Sequence, residues 1–191
     1  KSIVDGSLYS MDIGRDSGDK MYERIGKKAT YFELVYDMII NSSNLATNIV
    51  IDVLDAKNVM RTMDKLGAKK IKVLRGVEDM KAFDLGMNNE TSANDLLVIF
   101  EHLAKGTAVN SSADSNMINI LLEQTHNSVI PKKLPNDVQV AHKTGSITGV
   151  LHDSGIIYLP DGTKYVLVIL SKNVKNMAAL LPVGVSSSPS V

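Results

Sequence analysis

Three β-rich runs crowd into one stretch of this chain: VQVAHKT at 138–144, SGIIYLP at 154–160 and KYVLVILS at 164–171. Asp161-Gly162 stands between the last two, and that dipeptide favours the turn of a hairpin. No helical pattern separates the runs, so the connections are too short for parallel crossovers and the sheet is expected to be antiparallel. The residues before them read as helices. Thr30 and Glu33 have the spacing of a capping box, which starts a helix over YFELVYDMII with Phe32, Leu34, Val35 and Met38 as its core face. Asn41-Ser42-Ser43-Asn44 interrupts it, and LATNIVIDVL resumes it. A third helix spans 57–66 and ends at Gly67. Ser92 and Asp95 open a fourth over ANDLLVIFEHLAKG, stopped by Gly106, and residues 112–125 form a fifth. Helices first and strands last predict an α+β fold.

Residues 1–29 are polar and rich in Gly and Asp, and are expected to be a surface segment with little regular structure. Residues 68–90 form a long polar connection, and such a loop inside a compact domain is usually functional. The tail over 180–191 (LPVGVSSSPSV follows Leu180) reads as unstructured, and the whole of 1–191 reads as one domain.

Composition closes off several functions. The 21 basic residues equal the 21 acidic ones, so no global charge draws the chain to nucleic acid or an anionic membrane. With no cysteine, thiol catalysis, disulfides and thiolate metal sites are excluded. No apolar run is long enough to predict a membrane span. His102 and His126 have no second ligand at metal spacing, so neither a metal site nor a cofactor is expected. The nine methionines are scattered along helices and read as core filling.

Two constellations carry chemistry. In HKTGSITG, Lys143 at a strand edge places a cation in a cleft, and Thr144 adds a hydroxyl donor. Gly145 allows a substrate backbone to approach, and the N–H of Ser146 can face a developing oxyanion. Alone, the triplet reads as an exposed strand end with a turn, since such tripeptides arise by chance. In NSSNLATN, Ser42 and Asn44 stand two residues apart at the helix break, where both can face one cleft. Alone, that reads as a helix N-cap, and Asn48 one turn later reads as structural.

Taken together and in order, Ser42-Ser43-Asn44 and Lys143-Thr144-Gly145 resemble the S-D-N and K-T-G motifs of the class A β-lactamases and related penicillin-recognising serine hydrolases. MIINSSNLATNIVIDVL resembles the corresponding helix of that family, and residues 30–173 follow its order. The resemblance implies a β-lactamase/transpeptidase-like fold and a hydrolase acting on β-lactam or D-Ala-D-Ala-type amide bonds through an acyl-enzyme. It implies that Ser42 relays a proton to the leaving nitrogen, with Lys143 lowering its proton affinity and drawing the substrate carboxylate. Thr144 would hold that carboxylate, Asn44 the acyl-side amide, and Ser146 half of an oxyanion hole beside Gly145. His152, between the first two strands, is a candidate for the carboxylate when protonated, or a turn residue. Glu78 in the 75–90 loop is a candidate general base for deacylation, or a solvated loop carboxylate, since it does not match the family's E-x-x-x-N register from Arg75. The family is exported, so a periplasmic or secreted location follows from the resemblance.

Two departures stand out. Ser43 occupies the position of the Asp in S-D-N. The nucleophile motif S-x-x-K occurs only as Ser17-Gly18-Asp19-Lys20, in a Gly/Asp-rich stretch without apolar periodicity, so Ser17 reads as a loop residue. The expectation is therefore a chain without its nucleophile segment, open to a complementing N-terminal fragment. The alternative is a non-catalytic module that binds penicillin or a peptidoglycan peptide.

Overall fold

A computed structural model describes residues 1–175. The helices come first. α1 (Tyr31–Ile40) starts at the expected capping box: Glu33 N donates to Thr30 Oγ1 at 3.2 Å, and Thr30 N donates to Glu33 Oε2 at 2.7 Å. α2 (Asn44–Leu54) follows the break, and its N-cap is Ser43, whose Oγ accepts from Ala46 N. α3 (Ala56–Leu66) ends at Gly67, where φ of +92° needs a residue without a side chain. α4 (Met80–Asp84), α5 (Ala93–Lys105, N-cap Ser92) and α6 (Ser111–Leu122) complete the set among the described residues.

Three strands form an antiparallel sheet in the order β1 (Gln139–Ile147), β2 (Val150–Tyr158), β3 (Lys164–Ile169). Helices before an antiparallel sheet make this the α+β arrangement that the order of elements predicts. Ile147 pairs with Val150, so β1 and β2 are joined by the two residues Thr148-Gly149. The connection from β2 to β3 is longer. Leu159 N donates to Thr163 O at 2.8 Å, which encloses the expected Asp161-Gly162 turn.

Several expectations need correction. β2 begins at Val150 and not at Ser154, so His152 and Asp153 lie inside the strand and not between strands. Two polar residues do not read as strand, but Asp153 finds partners that let it be buried. Phe32 is 62% exposed and its ring lies against Tyr36, so the inner face of α1 is Leu34, Met38 and Ile40. Residues 1–29 hold two short 3-10 turns, Ile13–Arg15 and Asp19–Arg24. The 68–90 connection contains α4 and is pinned at its ends by a bridge between Lys72 and Glu90. The expectation for the 180–191 tail falls outside the described residues.

Two apolar clusters position the cleft. Phe100 and Leu103 of α5, Leu121 of α6, Ala141 of β1 and Ile156 of β2 form the larger one, which seats α5 and α6 on the sheet. Met21, Leu34 and Ala46 form the smaller one, which packs the 19–24 turn on α1 and α2. Burial of such side chains is the main stabilising term, at about 1.5–3 kcal/mol each. The α1–α2 break and the outer edge of β1 are therefore held facing each other by separate clusters.

Candidate active site

The break between α1 and α2 is sharp because Ser42 has φ of +53°, a left-handed conformation that is uncommon for a residue with a side chain. Its neighbours hold it there. Asp37 O accepts from both Asn41 N and Ser43 N, closing the end of α1. On the other side a carboxylate arrives from far away in the sequence. Asp16, 6% exposed, accepts from Asn44 N at 2.9 Å and from Leu45 N at 2.9 Å, and Ser43 Oγ donates to it at 3.4 Å. A carboxylate on the first N–H groups of a helix satisfies donors that have no partner within the helix and lies at the positive end of its dipole. Asn44 Nδ2 returns the contact by donating to Arg15 O at 3.3 Å. Gly18 closes the assembly: a Cβ there would lie 2.3 Å from Ser43 Cβ.

Across the cleft stands the edge of β1. Lys143 Nζ donates to Ser42 Oγ, which joins the two constellations over 101 residues, and to its neighbour's carbonyl, Thr144 O, at 2.7 Å. Burial pushes the Lys143 ammonium down to about 8, against an opposing pull from the Asp153 carboxylate. Desolvation disfavours the charged form, whereas a nearby anion favours it.

These groups line one cleft of about 740 Å³ together with Asn44, Thr144, Gly145, Ser146 and Glu78. Glu78 reaches it from the 68–90 connection. Asn48 grips the residue before it: Val77 N donates to Asn48 Oδ1 at 2.7 Å, and Asn48 Nδ2 donates to Val77 O at 2.9 Å. Glu78 itself has φ of +63°, and its Oε2 accepts from Asp12 N at 2.8 Å. Its Oε1 is enclosed without a hydrogen-bond partner. Glu78 is thus half-buried at the cleft wall and tied down by one oxygen only.

The structure gathers Ser42, Asn44, Lys143, Thr144, Gly145, Ser146 and Glu78 in this cleft, and His152 is not among the residues that line it. His152 Nδ1 accepts from Ser171 N at 3.0 Å, so that nitrogen carries no proton while the bond is made. Ser17 lies in the turn between the two 3-10 segments and lines the cleft, as does Arg15. Two residues escaped the sequence reading. Asp16 had no signal beyond its place in a Gly/Asp-rich turn. His126 lines the cleft near Lys143, with burial and then the Lys143 charge lowering its proton affinity. Among the described residues, no group of three or more His, Asp or Glu is set to hold a metal ion. No helix among them is long and apolar enough to cross a membrane.

A sequence model described as the beta-lactamase enzyme family matches residues 7–182. No curated protein matches. Among solved structures, a beta-lactamase from Sphaerobacter thermophilus is 27% identical, with a TM-score of 0.70 over 79% of this chain and 57% of that one. The protein PBP-A is 27% identical, with a TM-score of 0.71 over 80% of this chain and 57% of its own. A mutant of PBP-A is described as an acyl-enzyme complex with penicillin-G. A beta-lactamase from Chitinophaga pinensis shares the fold at 23% identity, with a TM-score of 0.73 over 84% of this chain and 64% of that one. The chain thus spans 57% of the length of the first two of these structures.

Proposed function

The chain belongs to the beta-lactamase enzyme family, and from that premise we propose that it forms the substrate-binding part of a serine hydrolase acting on β-lactam or D-Ala-D-Ala-type amides through an acyl-enzyme. The observation that carries the reading is the Lys143 ammonium against Ser42 Oγ, inside a cleft that also holds Asn44, Thr144 and Ser146. A hydroxyl that touches a buried ammonium can take a proton from it and hand one to a leaving nitrogen, and a lysine brought near neutrality is suited to that exchange.

The remaining roles follow from chemistry and placement. Lys143 and the Thr144 hydroxyl form the anchor for a substrate carboxylate, since an ammonium and a hydroxyl both donate to an anion. Asn44, fixed by Arg15 O, offers its amide oxygen to the acyl-side N–H of a substrate. The Ser146 N–H serves as one oxyanion donor, and such a donor contributes about 3–4 kcal/mol to transition-state stabilisation. Glu78 acts as the general base: it lines the cleft wall, and its Oε2 is held by Asp12 N. Ser17 and Ser42 are not assigned as the acylated nucleophile, because neither is at the start of a buried apolar helix with a lysine one turn on.

Penicillin-G titration tests this reading in the chain as it stands. Amide signals of Ser42, Asn44, Lys143, Thr144 and Ser146 are expected to shift saturably, and Lys143→Met is expected to abolish the shift. Intact-mass measurement after incubation is expected to show no adduct on Ser17 or Ser42. Shifts that map elsewhere, or that survive Lys143→Met, would overturn the proposal, and a stoichiometric adduct on either serine would overturn the assignment of roles.

A further inference from the structure

Residues 2–12 lie along the part of the 68–90 connection that carries Glu78, and they touch it at one residue after another. Ile3 N donates to Asp79 Oδ2 at 2.9 Å, Tyr9 Oη donates to Val77 O at 3.0 Å, and Asp12 N donates to Glu78 Oε2 at 2.8 Å. Lys81 Nζ reaches back to Asp5 Oδ2 at 2.9 Å and to Ser7 Oγ at 2.6 Å, both at the surface. The segment is closed on itself where it grips: Ser2 N donates to Ser7 O, Gly6 N donates to Ser2 O, and Ser2 is 3% exposed. Asp79 is the buried end of the arrangement. It is 1% exposed, and its second oxygen accepts from Ala82 N at 3.2 Å, which caps α4. A buried carboxylate is costly unless donors fill its lone pairs, and bonds from backbone N–H groups to a carboxylate are among the stronger ones.

Glu78 stands between two clamped residues. On one side Val77 is held through its N–H by Asn48 Oδ1, and through its carbonyl by Asn48 Nδ2 and Tyr9 Oη. Asn48 Nδ2 also donates to Tyr9 Oη at 3.3 Å, so α2, the 2–12 segment and the connection meet at one point. That point is filled: a Cβ at Gly76 would lie 2.6 Å from Tyr9 Oη and 2.8 Å from Asn48 Oδ1. On the other side Asp79 is held by Ile3 N. Within the connection itself, the backbone bonds beside Glu78 are Asp79 N to Gly76 O at 3.4 Å and Met80 N to Glu78 O at 2.8 Å. A left-handed residue with a side chain persists only where its surroundings over-determine it, and for Glu78 those surroundings are the two clamps.

From this geometry we infer that Tyr9 and Asp79 are positioning residues for Glu78: Tyr9 from the 2–12 segment, and Asp79 held by that segment's Ile3, fix the connection on either side of Glu78 and keep its carboxylate at the cleft wall. The inference rests on the reading of Glu78 as the general base. Neither positioning residue lines the cleft.

The Asp12 amide reports the outcome, because its bond is to Glu78 Oε2 and not to either positioning side chain. Hydrogen exchange of that amide is followed by NMR together with the Glu78 carboxyl carbon signal, assigned as the one lost in Glu78→Gln. Asp79→Asn keeps the size of the side chain but leaves one acceptor oxygen for two backbone donors. Tyr9→Phe keeps the ring and removes the hydroxyl. Each is expected to speed exchange at Asp12 by about fivefold, the factor that corresponds to one hydrogen bond of ordinary net strength, and to move the Glu78 signal toward that of a solvated glutamate. Lys81→Met breaks only the exposed ion pair and should change the rate by less than about twofold, since such pairs contribute little. The amides of Ile156 and Ile157, in the middle of the sheet, are the control: a general loss of stability speeds them too, whereas release of the connection does not. An Asp12 amide that is unmoved in Tyr9→Phe, or that moves only together with the sheet amides, overturns the inference, as does an equal response to Lys81→Met. Should Asp79→Asn fail to fold, Tyr9→Phe decides alone. None of these readouts uses penicillin. If penicillin-G does not bind while Asp12 and Glu78 respond, the hydrolase reading fails and the clamp stands; if it binds and they do not respond, the clamp alone fails.

Discussion

The two walls of the cleft are built in different ways. The Lys143-Thr144-Gly145 wall is part of a hairpin, with every residue from Gln139 to Ile147 paired to β2 across a two-residue connection. Its scaffolding lies within the same short piece of sequence. The Ser42-Ser43-Asn44 wall has less support of its own, from Asp37 O at the end of α1. A left-handed serine at a helix break must be held from outside, and most of the grip comes from Asp16, which lies 28 residues before Asn44 and 29 before Leu45. Where the family motif has an Asp, this chain has Ser43, and a carboxylate from a distant turn fills the space above the helix start. A motif on a strand brings its support with it, whereas a motif on a turn borrows it.

The comparison can be broken at each wall. The largest effect is expected from Asp153→Ala. It strips His142 and Ile130 N of their acceptor, and each buried group left unsatisfied costs about 1–3 kcal/mol, measurable by urea unfolding. Next come two glycine variants with similar crowding. A Cβ at Gly155 would lie 2.4 Å from Ala141 O, inside a sheet paired on both sides, and a Cβ at Gly18 would lie 2.3 Å from Ser43 Cβ, in a turn. Overpacking costs about 1–3 kcal/mol. Gly155→Ala should fall at or above the top of that range, because its neighbours cannot move. Gly18→Ala should fall near the bottom, yet weaken penicillin-G binding more, because the relief comes from displacing Ser43 and with it Ser42. Equal effects on binding would erase the distinction between the walls.

Asp16→Asn is expected to cost less again, about 1–2 kcal/mol, since an amide retains one acceptor but cannot serve both Asn44 N and Leu45 N as a carboxylate does. Its mark should be a loss of penicillin-G affinity at temperatures where circular dichroism remains native. A separate effect concerns pH. Lys143 is lowered to about 8 in the folded chain from an ordinary 10.5. Between those values the unfolded chain binds the extra proton, so folding stability should rise with pH across that window relative to Lys143→Met. Below pH 8 the cost of burying the ammonium is present in full. Ligand anchoring should run the other way and weaken above pH 8 as the cation is lost. A flat difference between wild type and Lys143→Met would show that the lysine is solvated and that the strand wall does not tune it.

Much of the fold was legible because its signals are local. The capping box at Thr30, the stop at Gly67, the N-cap at Ser92 and the Asp161-Gly162 turn each need only a few consecutive residues. The start of β2 was not legible. Leu151-His152-Asp153 reads as a polar gap until His142, Asn127 and Ile130 are seen around it, and a buried charge becomes affordable only through partners remote in sequence. Phe32 failed for the opposite reason: helical periodicity marks an apolar residue, not whether a neighbour covers it. In the site, the paired motifs marked both walls, while Asp16 and His126 gave no sign, since a polar residue in a turn looks the same whether it is solvated or buried.

The sequence by itself determined the order of elements, the antiparallel pairing and the two motifs that face each other, because these follow from patterns with periods of a few residues. Only the tertiary structure decided that Lys143 touches Ser42, that Glu78 reaches the cleft while His152 turns to Ser171, and that Asp16 anchors the turn. Those outcomes depend on desolvation and on hydrogen bonds between distant residues, energies that exist only once the chain has closed around them.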